Sequence, residues 1–392
     1  MSTDVTDTPT EPSDAPEVGD VAVAPPLAQR AKAVAYAAIP YVVAVLAAFV
    51  VVGVLIALLG HDPAKAFRAV LTNSFRNETG MVQTLHKWAP LTLLSLAFAI
   101  PLGAGRFNIG GEGQMILGSV GAAAVGITMS DLPLVILLPL VIVAGTLAGV
   151  LWAAISAWLM ESFHINEILS TVLLNFVSFE VLDYVASVVW SDPGAGGAVT
   201  LPVGEGAVLP GIGRPPMHTG VLLVVLVSVV AAVMAKRSVA GFELRAVGLN
   251  ERASKLHGIR TGRVAVMSMV VAGALAGLAG AIEVAGVHQR TLEGIQSNFL
   301  LLGIIIGLIA RGSLTAVPFV AFGIAVLEVG AGSMQRVSGA PVEIVLILEG
   351  LILLFLLMSD VATERLRRAR AGRSARRASA NAGPTATTGA VA

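Results

Sequence analysis

An α-helix needs about twenty consecutive apolar residues to cross the hydrocarbon core of a bilayer, and this sequence offers such runs repeatedly. Ten apolar segments stand out, at approximately 33–59, 88–104, 112–129, 133–158, 165–190, 219–235, 263–286, 296–311, 313–331 and 342–358. In lipid every backbone polar group must be satisfied within the protein, so repeated apolar runs of this length are read as helices. The fold class is therefore an all-α polytopic membrane protein with about ten transmembrane helices. Only 13% of residues are charged and 56% are hydrophobic, against about 25% charged in a soluble domain. The second, third and eighth segments are short for simple spans.

The polar remainder divides the chain. Residues 1–32 read as a disordered tail, acidic and free of Lys and Arg through residue 28. Residues 33–358 form the transmembrane domain, with a charged loop at 236–262. Residues 359–392 read as a disordered basic tail, rich in Arg and then in Ala, Ser, Gly and Thr. Its basic half suits anionic lipid headgroups, or it is a topology marker. Ten spans put both termini on one side. That side carries eighteen of the 25 Lys and Arg residues, and without the last seven arginines the count is still eleven against seven. Positive residues concentrate in the cytoplasm, so both termini are expected there. The two longest loops of the opposite side are 60–87, with His61, Asp62, Lys65 and Arg68, and 191–218, rich in Gly and Pro.

Between two apolar runs lies a charged island, Val239 to Ile259, bearing Glu243, Arg245, Glu251, Arg252 and Lys255 and a Gly stop at Gly258. It reads as a short amphipathic helix in a cytoplasmic loop, or as a solvated loop whose charges only set topology. A second interruption, Arg106 to Gln114, places Asn108, Glu112 and Gln114 among closely spaced glycines. Either this is a broken element beside a solute path, or it is a tight turn with a capped helix N-terminus. In the stretch from Asn166 to Asn175, the residues Glu167, Thr171 and Asn175 follow at intervals of four and share one helical face. That polar stripe suits a path lining or hydrogen bonding between helices. Further acids, Glu180, Asp183, Glu283, Glu328, Glu343 and Glu349, lie in or near spans. Glu349 sits mid-run without a basic neighbour, and is either protonated or faces a cavity.

Three of these stretches carry a resemblance. Gly241, Ala246, Gly248, Asn250, Ala253, Gly258 and Ile259 resemble the coupling loop of ABC-importer permeases in the ribose, nucleoside and branched-chain amino acid branch. Phe107 to Gln114 is similar to the F-N-I-G-x-E-G-Q motif of the nucleoside and simple-sugar members. Asn166 to Asn175 is similar to their N-E-x-x-x-T-x-x-x-N stretch. The resemblance covers approximately residues 35–358.

It implies the ten-helix fold of the large (type II) importers and a path for a nucleoside or simple sugar. The candidate path residues are Asn108, Glu112, Gln114, Asn166, Glu167, Thr171, Asn175 and Glu349. The candidate ATPase-coupling residues are Gly241, Arg245, Gly248, Asn250, Arg252, Ala253, Lys255 and Gly258, with Gly248 and Gly258 bounding a lever. The implied partners are an ABC ATPase subunit, a second permease subunit (same or paralogous), and an extracellular substrate-binding lipoprotein or periplasmic protein. Membrane lipid surrounds the bundle, and nucleic acid is not expected. The implied location is a bacterial plasma membrane.

Other chemistry is poorly supported. The sequence has no cysteine and no G-x-x-x-x-G-K-[ST] phosphate loop, so ATP and Mg are expected on a partner, with no cofactor bound by this chain. The six histidines show no metal-ligand spacing, and Ser170 has no recognisable His and Asp partners. An ion-coupled secondary transporter of a small polar solute is the alternative, given the intramembrane acids.

Overall fold

The computed structural model describes residues 27–76 and 78–381, so residues 1–26 of the acidic tail and 382–392 of the basic one lie outside the described residues. Each of the ten apolar segments is carried by a helix: α1 (Leu27–Leu58), α3 (Glu78–Gly103), α4 (Gly111–Thr128), α5 (Leu134–Phe163), α6 (Glu167–Tyr184), α7 (Gly220–Arg237), α10 (Thr261–Ile282), α11 (Phe299–Ile309), α12 (Val317–Ser338) and α13 (Glu343–Asn381). Eight are long and apolar enough to span a membrane. The exceptions are α4, whose first turn carries Glu112 and Gln114, and α11. At about 1.5 Å per residue the eleven residues of α11 reach about halfway across a hydrocarbon core of about 30 Å. Turns at 293–298, with Ser297 and Asn298 in left-handed conformation, lead into it.

Two spans are central and the others surround them. The most apolar windows of α3 and α10 are 72% buried, whereas those of α1, α5, α6 and α7 are 22% buried. Polytopic chains leave such peripheral faces to lipid or to partner subunits. Helix α10 packs on α5, α4 and α3, while α12 packs on α2 (Pro63–Arg76) and α3, and α13 packs on α1. The α4–α5–α10 contact is made of small residues. A Cβ added to Gly118 would lie 2.5 Å from the backbone of Gly277, and one on Gly277 would lie 2.5 Å from the Gly145 carbonyl. Backbones therefore touch, as glycines permit between membrane helices.

The structure departs from the sequence reading in four places. The loop at 60–87 is mostly helical: α2 is amphipathic, and α3 starts at Glu78, a decade earlier than the apolar run. Both α6 and α10 continue as π-turns, Val185–Val189 and Glu283–His288. The loop at 191–218 is ordered by a short hairpin of β1 (Gly211–Ile212) and β2 (Met217–His218), and by backbone bonds from Gly204 to Gly126 and from Leu209 to Ala285. Finally, α13 does not stop at 358. Its backbone runs on to Asn381, so residues 359–381, expected as an unstructured tail, extend the helix.

Candidate functional site

The charged island forms two helices rather than one: α8 (Val239–Leu249) and α9 (Glu251–Leu256). Ser238 caps the first by accepting from the Gly241 N–H at 3.0 Å, and Asn250 caps the second by accepting from Ala253 N–H at 3.0 Å. Asn250 is extended, at φ −159° and ψ 99°, and this breaks the helix. Gly258 lies at φ +83°, a left-handed terminus after α9. Gly248, expected to bound the lever, stands one residue before the end of α8. It lies inside α8, and a Cβ there would run into the carbonyl of Gly103 at the end of α3. Gly241 is pressed in the same way against the Met234 and Ala235 carbonyls of α7.

Glu251 is the electrostatic centre of this loop. Its carboxylate takes Lys255 at 2.9 Å, the Thr261 hydroxyl at 3.3 Å and Arg106 at 3.5 Å. The Lys255 bond, followed by the nearby Arg106 and Lys255 charges, outweighs partial burial and holds its carboxyl below the usual range. Arg245 donates to the Ala235 carbonyl, so part of its capacity is spent within the chain. Arg252, Lys255, Leu249 and Leu256 are exposed, the two leucines at 87% and 89%. Ala253 lies half-buried beside the Asn250 cap. Charged and apolar tips thus stand exposed on two short, well-capped helices.

Four candidate path residues are turned inward. Asn108 and Gln114 exchange side-chain amide bonds, both at 3.1 Å, and Asn108 Oδ1 also accepts from the Gly110 N–H at 3.0 Å. Asn175 accepts from Gly113 N–H at 2.9 Å and donates to the Ile109 carbonyl at 2.8 Å, tying α6 to the start of α4. Thr171 donates to the Glu167 carbonyl at 2.6 Å. All four are buried. The glycines fit the same joint: a Cβ on Gly110 would lie 3.0 Å from Thr171, and one on Gly113 would lie 2.9 Å from Asn175 Oδ1. This geometry serves the motif as a clamp between two helices. Asn166 caps α6, accepting from Ile168 and Leu169 N–H groups. Glu112 and Glu167 are half-buried at the same end of the bundle.

Glu349 is fully enclosed, with neither carboxyl oxygen hydrogen-bonded. It therefore does not face an open cavity in this conformation. The carboxylates that do reach the surface of α6 are Glu180 and Asp183, with Ser187 one turn on, 3.5 Å from Asp183. Counted along α6 and its π-turn, Glu180 lies about 20 Å from one end and about 14 Å from the other. The sequence reading noted both acids but ranked them below the 166–175 stripe. Their spacing of three on one face was the available signal.

A bundle of helices long and apolar enough to cross a membrane, with a capped charged loop and polar groups on one peripheral span, is a multi-pass membrane protein. Residues 80–357 match the family described as branched-chain amino acid transport system / permease component, and the chain belongs to it. It is 34% identical over 81% of its length to the glucose ABC transporter permease protein TsgB13 of Haloferax volcanii, covering 87% of that protein. It is 32% identical over 78% of its length to the guanosine ABC transporter permease protein NupP of Bacillus subtilis, covering 89% of it. With the nucleoside ABC transporter permease protein NupB of Lactococcus lactis the identity is 25%, over 84% of this chain and 93% of the relative. The chain is thus an ABC transporter permease subunit, and the ion-coupled alternative is set aside. Such a subunit is not itself the catalyst of ATP hydrolysis.

Proposed function

We propose that this permease forms the import path for a nucleoside or simple sugar, and that the exposed face of α6 lines the path. One observation carries this reading: the carboxylates of Glu180 and Asp183 lie on the surface of the chain at hydrocarbon depth. An ionisable side chain there is expensive against lipid, so that face is covered by protein or bathed in water. A second permease subunit, identical or paralogous, supplies the other wall. Relatives named for glucose, guanosine and nucleosides share a ring with adjacent hydroxyls, which a carboxylate accepts readily. The buried clamp of Asn108, Gln114, Thr171 and Asn175 holds α6 in place behind this face.

ATP is hydrolysed on a separate ATPase subunit that receives α8 and α9 through Leu249, Leu256, Arg252 and Lys255. Gly248 transmits the push, because its backbone bears directly on Gly103 and hence on the central span α3. Both termini and this loop lie in the cytoplasm of a bacterial cell. At the opposite end, Lys65, Arg68, Thr72, Asn73, Ser333 and Val337 line a cavity of about 450 Å³, a basic seat for acidic groups of a substrate-binding protein.

The test is uptake of labelled uridine, adenosine, ribose and glucose in a deletion strain carrying wild-type or variant permease. Glu180→Gln with Asp183→Asn should lower uptake at least tenfold while membrane abundance stays normal. Unchanged uptake would remove α6 from the path. Gly248→Leu should abolish uptake with the protein still in the membrane.

A further inference from the structure

Glu349 lies six residues into α13, and its side chain is 0% exposed, with both carboxyl oxygens lacking any hydrogen-bond partner. Two charged groups stand within electrostatic reach, Glu328 on α12 and Lys87 on α3. These two pair with each other at 3.7 Å, and Lys87 Nζ also rests 4.4 Å above the Phe299 ring of α11. All three ionisable groups lie within about three turns of the same end of the bundle, the end that carries α2. Among the described residues, the other cation beside α13 is Arg311, just past α11, which rests 4.5 Å above the Tyr41 ring and lines a cavity with Leu353, Leu356 and Leu357, one to two turns beyond Glu349 along α13. Helix α11 has no ionisable residue, the described side chains of α1 offer only Tyr41, and Arg336 of α12 bonds to Ser333.

The balance of charge is simple. Lys87 neutralises one carboxylate, and Glu328 has it. A negative charge on the fully buried Glu349 would have no counter-ion of its own and no donor. Burying an ionised carboxylate in that way is far more costly than burying the neutral acid, which needs only modest compensation.

We propose that Glu349, with Glu328 and Lys87, forms a proton-binding site that is loaded in the conformation described here. The bound proton makes the α12–α13 seam electrically neutral. A rearrangement that opens this seam to water frees the acid to ionise, so the two conformations differ in affinity for one proton. Rising pH then works against the loaded conformation, by up to about tenfold in the equilibrium per pH unit for one linked proton.

The experiment uses the full chain in lipid nanodiscs. Infrared spectroscopy, held at a pH well above the ordinary carboxylate range, should show a protonated-carboxyl carbonyl band in wild type that Glu349→Gln removes. Thermal stability of wild type should fall as pH rises from the ordinary carboxylate range, where the unfolded chain's acid ionises, and Glu349→Gln, an uncharged mimic of the loaded acid, should flatten this alkaline limb. A band that survives in Glu349→Gln, or an alkaline limb unchanged by it, overturns the proposal. If Glu349→Gln fails to accumulate, Glu328→Gln provides the reading: removing the adjacent negative charge should move the alkaline limb, and an unmoved limb overturns the proposal equally.

Discussion

Two polar clusters sit within this apolar bundle, and they are built on opposite principles. At the α4–α6 joint the side-chain bonds of Asn108, Gln114, Asn175 and Thr171 are made within the protein. At the α3–α12–α13 cluster, Glu349 is equally hidden and has no partner at all. A closed network has one arrangement in which every atom is satisfied, so it fixes position. An orphaned acid is comfortable only in one protonation state, so it records condition. In the described structure the 107–114 motif ties α4 to α6, while Glu180 and Asp183 of α6, which the proposed path uses, stand exposed.

The largest effect is expected from breaking the closed network. Asn175→Leu would strand the Gly113 N–H and the Ile109 carbonyl in the core, at a cost on the order of 3 kcal/mol. Folded yield in detergent should collapse, measured by size-exclusion profile and thermal unfolding. A normal yield would mean the joint is not the clamp described. Next in size is Lys87→Met, which leaves Glu328 without its cation and should cost about 2 kcal/mol. Glu328→Gln added to it should restore most of the loss, and a double-mutant cycle in thermal stability measures the coupling.

A smaller effect sharpens the comparison through a third buried polar group. His218 stacks on His86 at 4.1 Å between ring centroids and has no partner for either ring nitrogen. Burial, and then the neighbouring His86, push its imidazole down to about 4. The folded chain holds it neutral while the unfolded chain protonates it near 6.5. Stability should therefore be constant above that value and fall as pH drops from about 6.5 to about 4. His218→Phe should flatten this acid limb in a pH series of melting temperatures. The smallest effect belongs to Glu251, whose side chain is 42% exposed: Glu251→Gln should cost under about 1 kcal/mol. Because its carboxyl is held low, its contribution stands above the ordinary carboxylate range and is lost as acid carries pH through the lowered value. Uptake in that variant should drop modestly if α9 loosens from Arg106.

How legible was all this in the sequence? Among the described residues each of the ten apolar runs marked a helix, because twenty apolar residues have few other uses. The pairing of polar groups was not legible, since Asn175 meets Gly113 across 62 positions and Lys87 meets Glu328 across 241. Helical spacing placed Thr171 and Asn175 on one face, but could not say that α4 covers that face. The same limit hid the exposure of Glu180 and Asp183. Within the charged island, the break at Asn250 was missed because its capping geometry competes with helix-favouring neighbours on both sides. Amphipathic α2 was read as loop because its charges masked a helical period.

The glycine seams of α4, α5 and α10 have a mechanical consequence. Where backbone lies on backbone, as at Gly118 on Gly277 and Gly277 on Gly145, there are no flexible side chains to shear, and even a small slip drives carbonyl into carbon. These three helices must travel together as a keel. Whatever opens and shuts to let a solute by has to do so along joints cushioned by longer side chains, with the keel as the part against which they swing.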